Sequence, residues 1–279
     1  MAALDSLGYA DTSVVVTGAS SGMGDATVRV LADLGARVHA VDVNEPPGPH
    51  VAFYETDIAD PEQVSATATK LRDTGPIGSY FSCAGISHTF GPLACMLVNY
   101  VGARQLIDET LPALADGAGI AIIASQAGMS WQPNLATNLE LLAISDPRDA
   151  RAWCEAHPEA IKDGYSVSKE MLIVYAMHAA IALGERHIRI NCTAPCPTNT
   201  AFMEPTMAAL GEEFFERYPY PVLGRMATPE EQAWPLVLLN SPLNAVVSGA
   251  VLYTDQGYSG GALTGSLDTS RLTPSAAAD

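Results

Sequence analysis

Residues 13–24 read SVVVTGASSGMG and carry the strongest structural signal in the chain. The β-branched run Ser13–Thr17 favours a buried strand, and an amphipathic segment of helix length opens near Gly22. A glycine-rich turn between a strand and a helix can bind a pyrophosphate, because the free amides of a helix N-terminus attract anions. An ordinary flexible turn is the alternative, and the strand-before, helix-after context argues against it. The expected pyrophosphate contacts are Gly18, Ser20, Ser21, Gly22, Met23 and Gly24.

The alternation of strand and helix continues along the chain. Runs of β-branched and apolar residues predict strands, and longer amphipathic segments predict helices. Parallel strands need crossover connections, which usually carry helices, so this order predicts a parallel sheet covered on both faces. We therefore expect an α/β fold with a single Rossmann-type doubly wound sheet. The further expected strands span residues 36–42, 51–54, 77–83, 119–125, 188–192 and 246–253, and the further helices begin at Pro61 or span 95–115 and 165–184.

Two segments interrupt this alternation and are candidate substrate covers. The first spans about 130–164 and contains Pro133, Pro147 and Pro158, and the second spans about 200–228 and is rich in proline and bulky apolar residues. We interpret residues 1–279 as a single dinucleotide-binding domain, since one α/β domain can reach this length. The Gly-, Ser- and Ala-rich tail is expected to be partly disordered beyond Leu272.

The chain is strongly acidic. It has 31 Asp and Glu residues against 14 Lys and Arg, and this net charge of −17 repels phosphate backbones and anionic lipids. Nucleic acid and membranes are therefore not expected as partners. The N-terminus lacks a basic region with a following apolar run, and apolar runs such as 120–124 are too short to cross a bilayer, so we expect a cytoplasmic protein. The five cysteines are an odd number without a C-x-x-C spacing, which favours free thiols over a disulfide framework. Cys192 and Cys196 could share a metal, but no other His or Cys cluster supplies the remaining ligands, so no metal site is expected.

Asp42 ends the second predicted strand. A carboxylate at that place accepts hydrogen bonds from the adenosine ribose and repels a 2′-phosphate. Neither Ser21 nor the run Val43-Asn44-Glu45 supplies a basic group that would hold such a phosphate. The sequence therefore favours NAD over NADP, with a plain exposed acid at a strand end as the alternative.

Further motifs, taken in order, make the chain resemble the short-chain dehydrogenase/reductase family over roughly residues 13–260. The glycine turn resembles the family's TGxxxGxG motif, and Tyr165 and Lys169 resemble its YxxxK pair. The long separation of Ser125 from Tyr165 and the Asp255-Gln256-Gly257 ending are similar to the 3α-hydroxysteroid dehydrogenase/carbonyl reductase branch. The resemblance implies catalytic roles for Asn99, Ser125, Tyr165 and Lys169. It implies cofactor contacts from Asp57, Ile58, Cys83, Ala84, Gly85, Tyr165, Lys169, Pro195, Thr198 and Thr200.

Two replacements depart from the family pattern. Ser82-Cys83 stands where the family usually has two asparagines, so the support of the central strand must differ. Cys196 follows Pro195 where the family usually has glycine, and it must tolerate a backbone shape that glycine normally takes.

Tyr165 and Lys169 lie four residues apart, so a helix places them on one face. A free tyrosine has a pKa of about 10, and a nearby positive charge lowers the pKa of a neighbouring acid by about 1 to 3. Lys169 and an oxidised nicotinamide can supply that charge, which makes Tyr165 the candidate general acid/base. Ser125 would donate a hydrogen bond to the substrate oxygen, and the resemblance implies that Asn99 holds a water linking Lys169 to solvent. Taken singly, Ser125 could cap a strand end and Asn99 could bond a helix carbonyl.

The sequence thus predicts an NAD-dependent oxidoreductase that interconverts a hydrophobic secondary alcohol and its ketone, of the steroid, terpenoid or aryl-alkyl class. The alternatives are an NAD-dependent epimerase or dehydratase, which normally has a longer chain, and a catalytically silent NAD-binding sensor. The resemblance also implies a homodimer or homotetramer. His88, in a predicted loop, could line the pocket, but a lone histidine in a loop is more often a surface residue, and no catalytic role is assigned to it. The substrate class rests on a density of bulky apolar side chains suited to a nonpolar ligand: Trp131, Phe202, Met203, Met207, Phe214, Phe215, Tyr218, Tyr220, Val222 and Leu223.

Overall fold

Seven parallel strands form one sheet in the computed structural model, which describes residues 7–269. Their order across the sheet is β3-β2-β1-β4-β5-β6-β7, the order of a doubly wound fold, which confirms the predicted fold class. The strands are β1 Ser13–Thr17, β2 Arg37–Asp42, β3 Ala52–Glu55, β4 Ile77–Ser82, β5 Leu114–Ile123, β6 Arg189–Pro195 and β7 Val251–Thr254.

Strand β1 lies inside the sheet between β2 and β4. Val14, Val15 and Val16 are fully buried, because helices cover both faces of a parallel sheet. The strand order reverses between β1 and β4, and ligands of doubly wound folds bind at the carboxyl ends of the strands at such a switch point. The glycine turn therefore begins at the place where this architecture forms its binding crevice.

The helices divide between the two faces of the sheet. They are α1 Gly22–Asp33, α2 Pro61–Arg72, α3 Pro92–Met96, α4 Ala103–Thr110, α5 Leu135–Leu142, α6 Pro147–Ala156, α7 Pro158–Ile161, α8 Tyr165–Leu183, α9 Met203–Leu210, α10 Glu212–Arg217, α11 Pro229–Asn240 and α12 Tyr258–Thr264. On one face, Leu31 of α1 packs in the same apolar cluster as Val237 of α11. On the other face, Leu71 of α2, Leu106 of α4 and Met171 of α8 form the second cluster.

The single helix predicted over residues 95–115 is wrong in its extent. The chain instead forms α3, a π-helical turn Leu97–Gly102 and α4, and it leaves the helix through a short 3₁₀ turn Leu111–Ala113. Pro112 lies in this last turn, and it cannot continue an α-helix because it lacks an N–H donor. Strand β5 consequently begins at Leu114, earlier than the predicted residue 119.

Helix α11 was not predicted, although its first turn has a recognisable signal. The Thr228 hydroxyl accepts a hydrogen bond from the amide of Glu231, whose carboxylate accepts one from the amide of Thr228, so the two residues form a capping box. Pro235 within the helix argues against a helix in a sequence pattern. The predicted strand over 246–253 also starts too early, since Val246 is 97% exposed in a loop and β7 begins at Val251.

The first interrupting segment is helical and packs on α8. Its helices α5, α6 and α7 follow β5, and the buried carboxylate of Glu170 on α8 accepts hydrogen bonds from Asn134 and Asn138 of this segment. The second segment forms α9 and α10. The part of the tail expected to be disordered, beyond Leu272, lies outside the described residues.

One helical stretch is long and apolar enough to cross a membrane by length and composition alone, although it is not an uninterrupted apolar run. It spans Tyr165–Arg186, with a mean hydropathy of 1.3. Residues 167–176 of this stretch are buried against the rest of the protein. Its apolar composition is therefore that of a helix covered by other elements of the fold.

Candidate active site

A cavity of about 540 Å³ lies at the carboxyl ends of β1, β2 and β4. This volume falls in the range of small-molecule and cofactor sites. The glycine turn forms one end of the cavity wall, and Tyr165 and Lys169 of α8 contribute to the other. Of the predicted cofactor contacts, the cavity is lined by Gly18, Ser20, Ser21, Gly22, Met23, Gly24, Asp42, Asp57, Ile58, Cys83, Ala84, Gly85, Tyr165, Lys169 and Thr200.

Two of the turn glycines are required by contacts within the chain itself. A Cβ on Gly18, whose φ is +65°, would lie 2.6 Å from the Cα of Ala84, and a Cβ on Gly24 would lie 1.9 Å from the carbonyl oxygen of Gly18. The nearest atoms are backbone atoms of the turn and of the segment after β4, so packing within the chain requires glycine at both positions.

The Asp42 carboxylate is held at the end of β2 by two backbone amides. It accepts hydrogen bonds from the amide of Ser20, at 2.9 Å, and from the amide of Asn44, at 3.1 Å. The carboxylate therefore lies beside the glycine turn at the edge of the large cavity, where it can meet a polar group of a bound ligand.

A second cavity of about 240 Å³ adjoins the first, and Tyr165 lines both. Ser125, Pro195 and Thr198 of the predicted site line this smaller cavity, and Thr200 lines both. Phe202 also lines both cavities, with 6.1 Å between its ring centroid and that of Tyr165. The two cavities thus bring the phosphate-binding turn, the YxxxK pair and the predicted serine to one crevice.

Ser125 has a structural role that uses its oxygen as an acceptor and leaves its O–H group able to donate. Its oxygen accepts a hydrogen bond of 3.1 Å from the amide of Ala127, which caps the 3₁₀ turn Gln126–Ser130. A serine hydroxyl has one donor and two acceptor lone pairs, so the O–H bond can still donate into the cavity. The capping role considered from the sequence is therefore present and is compatible with binding a substrate oxygen.

Burial acts on the two titratable groups of α8 in opposite directions. It raises the pKa of Tyr165, and a hydrogen bond with Ser125 partly opposes that rise. It lowers the pKa of Lys169 to about 8, because the residue is only 5% exposed and burial disfavours its charged form. The Lys169 ammonium donates to the carbonyl of Ile123 at 3.1 Å and lies 5.8 Å from the centroid of the Tyr165 ring. Both proton-exchanging groups are thus held in a shielded site.

Asn99 borders neither cavity, in contrast to the other three predicted catalytic residues. Its side chain is fully buried in the π-helical turn, where it accepts a hydrogen bond from the amide of Ile86 and donates to the carbonyl of Ile86 and to Ser168. Its amide is committed to the loop after β4, which carries the cofactor-side residues 83–85. These hydrogen bonds indicate that Asn99 positions this loop, and the π-helical turn places its side chain to do so.

The two departures from the family pattern are accommodated by ordinary contacts. The hydroxyl of Thr17 accepts hydrogen bonds from the amides of Cys83 and Ala84, which ties β1 to the segment after β4 without an asparagine. Cys196 does not adopt a positive φ, so the expectation of a glycine-like backbone at this position is wrong. Its thiol instead accepts weak hydrogen bonds from the side chains of Gln232 and Gln256.

The smaller cavity is the candidate substrate site, and only part of the predicted apolar wall lines it. Trp131 packs against the core, and Val222 is 73% exposed. Met207, Tyr220 and Leu223 are likewise not among the lining residues. The wall residues that the prediction identified correctly are Phe202, Met203, Phe214, Phe215 and Tyr218.

Three polar lining residues were missed: Ser87, Gln126 and Thr206. His88 lies in a 3₁₀ turn, is partly exposed and lines the same cavity, as one of its two interpretations allowed. The signal for Gln126 was its position directly after Ser125. Among residues 7–269, no group of three or more His, Cys, Asp or Glu side chains is arranged to hold a metal ion.

Comparisons with known proteins agree with this architecture. The family model described as short chain dehydrogenase matches residues 12–137, and the one described as Enoyl-(Acyl carrier protein) reductase matches residues 156–259. The chain is 33% identical to the coniferyl-alcohol dehydrogenase of Pseudomonas sp. (strain HR199 / DSM 7063) over 201 residues, which are 72% of this chain and 78% of that protein.

Two further relatives share the hydroxysteroid dehydrogenase name. The 3-alpha-hydroxysteroid dehydrogenase/carbonyl reductase of Comamonas testosteroni is 27% identical over 250 residues, 88% of this chain and 95% of that protein. The crystal structure of the 3-alpha-hydroxysteroid dehydrogenase from Pseudomonas sp. B-0831, complexed with NADH, superposes with a TM-score of 0.77 at 25% identity and covers 91% of this chain and 98% of that one. These matches confirm the resemblance inferred from the motifs: the chain belongs to the short-chain dehydrogenase/reductase family and is an oxidoreductase acting on alcohols or ketones.

Proposed function

We propose that this protein uses NAD to interconvert a hydrophobic secondary alcohol and its ketone, with Tyr165 as general acid/base. The observation that carries the proposal is that Tyr165 borders both cavities, the large one that contains the glycine turn and the small one that contains Ser125. A phenol in that place can exchange a proton with a group bound in the small cavity, next to a cofactor bound in the large one.

The residues of the large cavity fit a dinucleotide. The glycine turn opens helix α1, and the amides of its first residues are available to a pyrophosphate. The Asp42 carboxylate lies beside the glycine turn, where it would accept hydrogen bonds from the adenosine ribose hydroxyls, and its negative charge opposes a 2′-phosphate, which supports NAD over NADP. Asp57, Ile58 and residues 83–85 would hold the adenine side, and Thr198 and Thr200 the nicotinamide side. When bound, the nicotinamide ring supplies the hydride acceptor or donor.

The chain's own residues supply the proton transfer and the charge stabilisation. In oxidation Tyr165 takes the proton of the substrate hydroxyl, and in reduction it returns that proton to the ketone oxygen. The Ser125 hydroxyl donates to the same oxygen and stabilises the charge that develops there. The Lys169 ammonium favours the ionised phenol, which offsets part of the cost of burial. We expect the rate of oxidation to rise with pH, because oxidation needs the deprotonated phenol.

The substrate class follows from the wall of the small cavity. Phe202, Met203, Phe214 and Phe215 surround it with apolar surface, which suits the carbon skeleton of a steroid, terpenoid or aryl-alkyl alcohol. The names of the relatives support this range, since one is a coniferyl-alcohol dehydrogenase and another a 3-alpha-hydroxysteroid dehydrogenase/carbonyl reductase.

The test is an absorbance assay of NADH formation over steroid, terpenoid and aryl alcohols. Tyr165→Phe removes only the proton-exchanging oxygen, and we expect it to lower kcat by a factor of about 10² to 10⁴. Ser125→Ala should lower kcat by a factor of about 10² or more. Undiminished turnover in a folded Tyr165→Phe variant would refute the mechanism. NAD binding without NADH formation from any alcohol would instead indicate a sensor, and conversion with NADP alone would refute the cofactor assignment.

Assembly and location are also part of the proposal. Trp234 and Leu238 of α11 and Leu252 of the edge strand β7 are each more than a third exposed, which supports a homodimer or homotetramer formed with this side of the sheet. Light scattering at micromolar concentration tests this, with a monomer as the contrary result. We propose a cytoplasmic location and no nucleic-acid or membrane partner, on the basis of the acidic charge.

A further inference from the structure

The small cavity contains a pair of polar side chains that the proton-transfer chemistry does not use. The phenol of Tyr218 donates a hydrogen bond of 2.8 Å to Oε1 of Gln126, and Nε2 of the same amide lies within hydrogen-bonding distance of the phenol oxygen. Both side chains line the cavity, whose wall combines Phe, Met, Pro and Ala residues with other polar ones such as Ser87, His88 and Thr206. Gln126 and Tyr218 are distinguished by their pairing with each other in this wall, since burying polar groups costs free energy unless they are hydrogen-bonded.

The two partners come from distant parts of the chain, and packing fixes each of them. Gln126 directly follows Ser125 and begins the 3₁₀ turn at the carboxyl end of β5. Tyr218 follows α10 in the covering segment, is only 6% exposed and stacks on Tyr258, with 5.2 Å between the ring centroids and 11° between the planes. Gln126 is therefore fixed next to the reacting groups, and Tyr218 is fixed in the covering segment.

The pair has hydrogen-bonding capacity that it does not use. A glutamine amide carries two N–H donors and two carbonyl lone pairs, and a phenol carries one donor and its lone pairs. Among the side chains that the structure describes, Tyr218 is the one hydrogen-bond partner of the Gln126 side chain and Gln126 the one partner of the Tyr218 side chain. Because either amide atom can pair with the phenol, the amide can release one atom to another oxygen in the cavity and still keep the other on Tyr218.

We propose that Gln126 and Tyr218 form a specificity site for a second oxygen of the substrate, distinct from the carbinol oxygen held by Ser125 and Tyr165. The favoured substrates are then aryl or alicyclic alcohols that carry a further hydroxyl or carbonyl group on the ring. Such an oxygen can donate to Oε1 or accept from Nε2 of Gln126. This inference rests on the proposed function, because it assigns the carbinol end to the Ser125 and Tyr165 site.

Matched substrates separate this role from a purely structural one. The pairs are 1-phenylethanol against 1-(4-hydroxyphenyl)ethanol and 1-(3-hydroxyphenyl)ethanol, assayed with NAD in the wild type and in the Gln126→Met and Tyr218→Phe variants. Tyr258→Phe is the control, since it removes a hydroxyl from the same aromatic stack at a residue that does not line the cavity.

In the wild type, we expect kcat/KM to be at least about tenfold higher for one of the two ring-hydroxylated alcohols than for 1-phenylethanol, since a site built to pair an oxygen discriminates against its absence. Gln126→Met should abolish this preference, and Tyr218→Phe should reduce it severalfold, because kcat/KM falls more for the ring-hydroxylated alcohol than for 1-phenylethanol. Tyr258→Phe should keep the wild-type ratio. For the NADH-loaded protein, the hydroxylated acetophenone that corresponds to the preferred alcohol should have a Kd lower than that of acetophenone by a similar factor.

If Gln126→Met and Tyr218→Phe lower kcat/KM equally for both substrate types, the proposal is overturned. The pair would then serve only to hold the covering segment in place. A wild-type ratio near one would overturn it as well. If no alcohol is converted but the Kd ratios follow the expected pattern, the proposed function fails and the specificity site stands. If alcohols are converted and neither ratio depends on the ring oxygen, the proposed function stands and the specificity site fails.

Discussion

Burial of the charged Lys169 side chain destabilises the folded protein, and a role in the active site would explain why a lysine stands there. Burial lowers the pKa of its ammonium from 10.5 to about 8, so the folded protein holds this proton less tightly than the unfolded chain does. Between pH 8 and 10.5 the unfolded state therefore binds more protons, and the contribution of Lys169 to stability rises with pH. Below pH 8 the full cost of the buried charge is present.

Lys169→Met tests this directly, because methionine keeps an apolar chain of similar length without a charge. At pH 7 we expect the unliganded variant to be more stable than the wild type by about 2 kcal/mol, after the loss of the hydrogen bond to Ile123 is allowed for. The gain should shrink as the pH rises toward 10.5. Urea unfolding at pH 7 and pH 10 measures the difference, and an equal gain at both pH values would contradict the explanation.

A second prediction concerns the stability of a variant at Gly24. A Cβ there would lie 1.9 Å from the carbonyl oxygen of Gly18, and backbone must move to admit it. Gly24→Ala should therefore destabilise the protein without any cofactor, by about 3 kcal/mol. Gly184→Ala is the matched control, since it has a helical φ of −60° and no atom within 4 Å of a Cβ, and it should be neutral or stabilising. Thermal unfolding without NAD distinguishes this from a change that affects cofactor binding alone.

The helical segment between β5 and α8 depends on one buried carboxylate of α8. Asn134 donates to both oxygens of Glu170 and Asn138 donates to one of them, while the carbonyl of Asn134 accepts from the Lys162 ammonium. In Glu170→Gln, one carboxylate oxygen becomes an N–H₂ group, which is a donor and faces the N–H donors of Asn134 and Asn138. Rotating the Asn134 amide by 180° would not help, because its N–H₂ group would then face the Lys162 ammonium, which is also a donor. We expect a loss of about 1–3 kcal/mol.

The control for Glu170→Gln is Glu140→Gln, an exposed acid on α5 of the same segment. Urea unfolding should give a midpoint shift for Glu170→Gln and none for Glu140→Gln. Partial proteolysis should cut residues 130–164 faster in the first variant, because the segment loses its anchor on α8. Equal stability of the two variants would show that the amide cluster around Glu170 does not hold the segment.

The elements that local chemistry determines were predictable, and those set by distant contacts were not. Strand β1, the glycine turn and the start of α1 follow from neighbouring residues, and so does α2, whose Asp60 caps the amides of Glu62 and Gln63. The π-turn Leu97–Gly102 has no local signal, because the contacts that fix it come from distant residues. Asn99 is hydrogen-bonded to Ile86, and Gly102 packs against the backbone of Ile58. The Gln126 to Tyr218 contact was likewise hidden, because 92 residues separate its partners.

Over the whole molecule, the net charge of −17 opposes compaction. The ion pairs of the described residues are largely exposed, such as Arg148 with Glu62 and Arg151 with Glu155, and exposed pairs contribute little to stability. Repulsion among the excess acids should therefore outweigh the loss of these pairs when salt is added. The Debye length falls from about 30 Å at 0.01 M to about 8 Å at 0.15 M ionic strength, which spans the distances between surface charges.

We expect Tm to rise as sodium chloride is increased from 0.01 to 0.15 M at pH 7. Asp33, Asp73 and Glu185 are exposed acids at or just after the C-terminal ends of α1, α2 and α8, where the helix dipole adds to the repulsion. The triple variant Asp33→Asn, Asp73→Asn, Glu185→Gln should have a higher Tm in 0.01 M salt and a smaller rise with salt. Chloride at these concentrations acts by screening, so a Tm that falls with salt would mean that the ion pairs outweigh the excess charge.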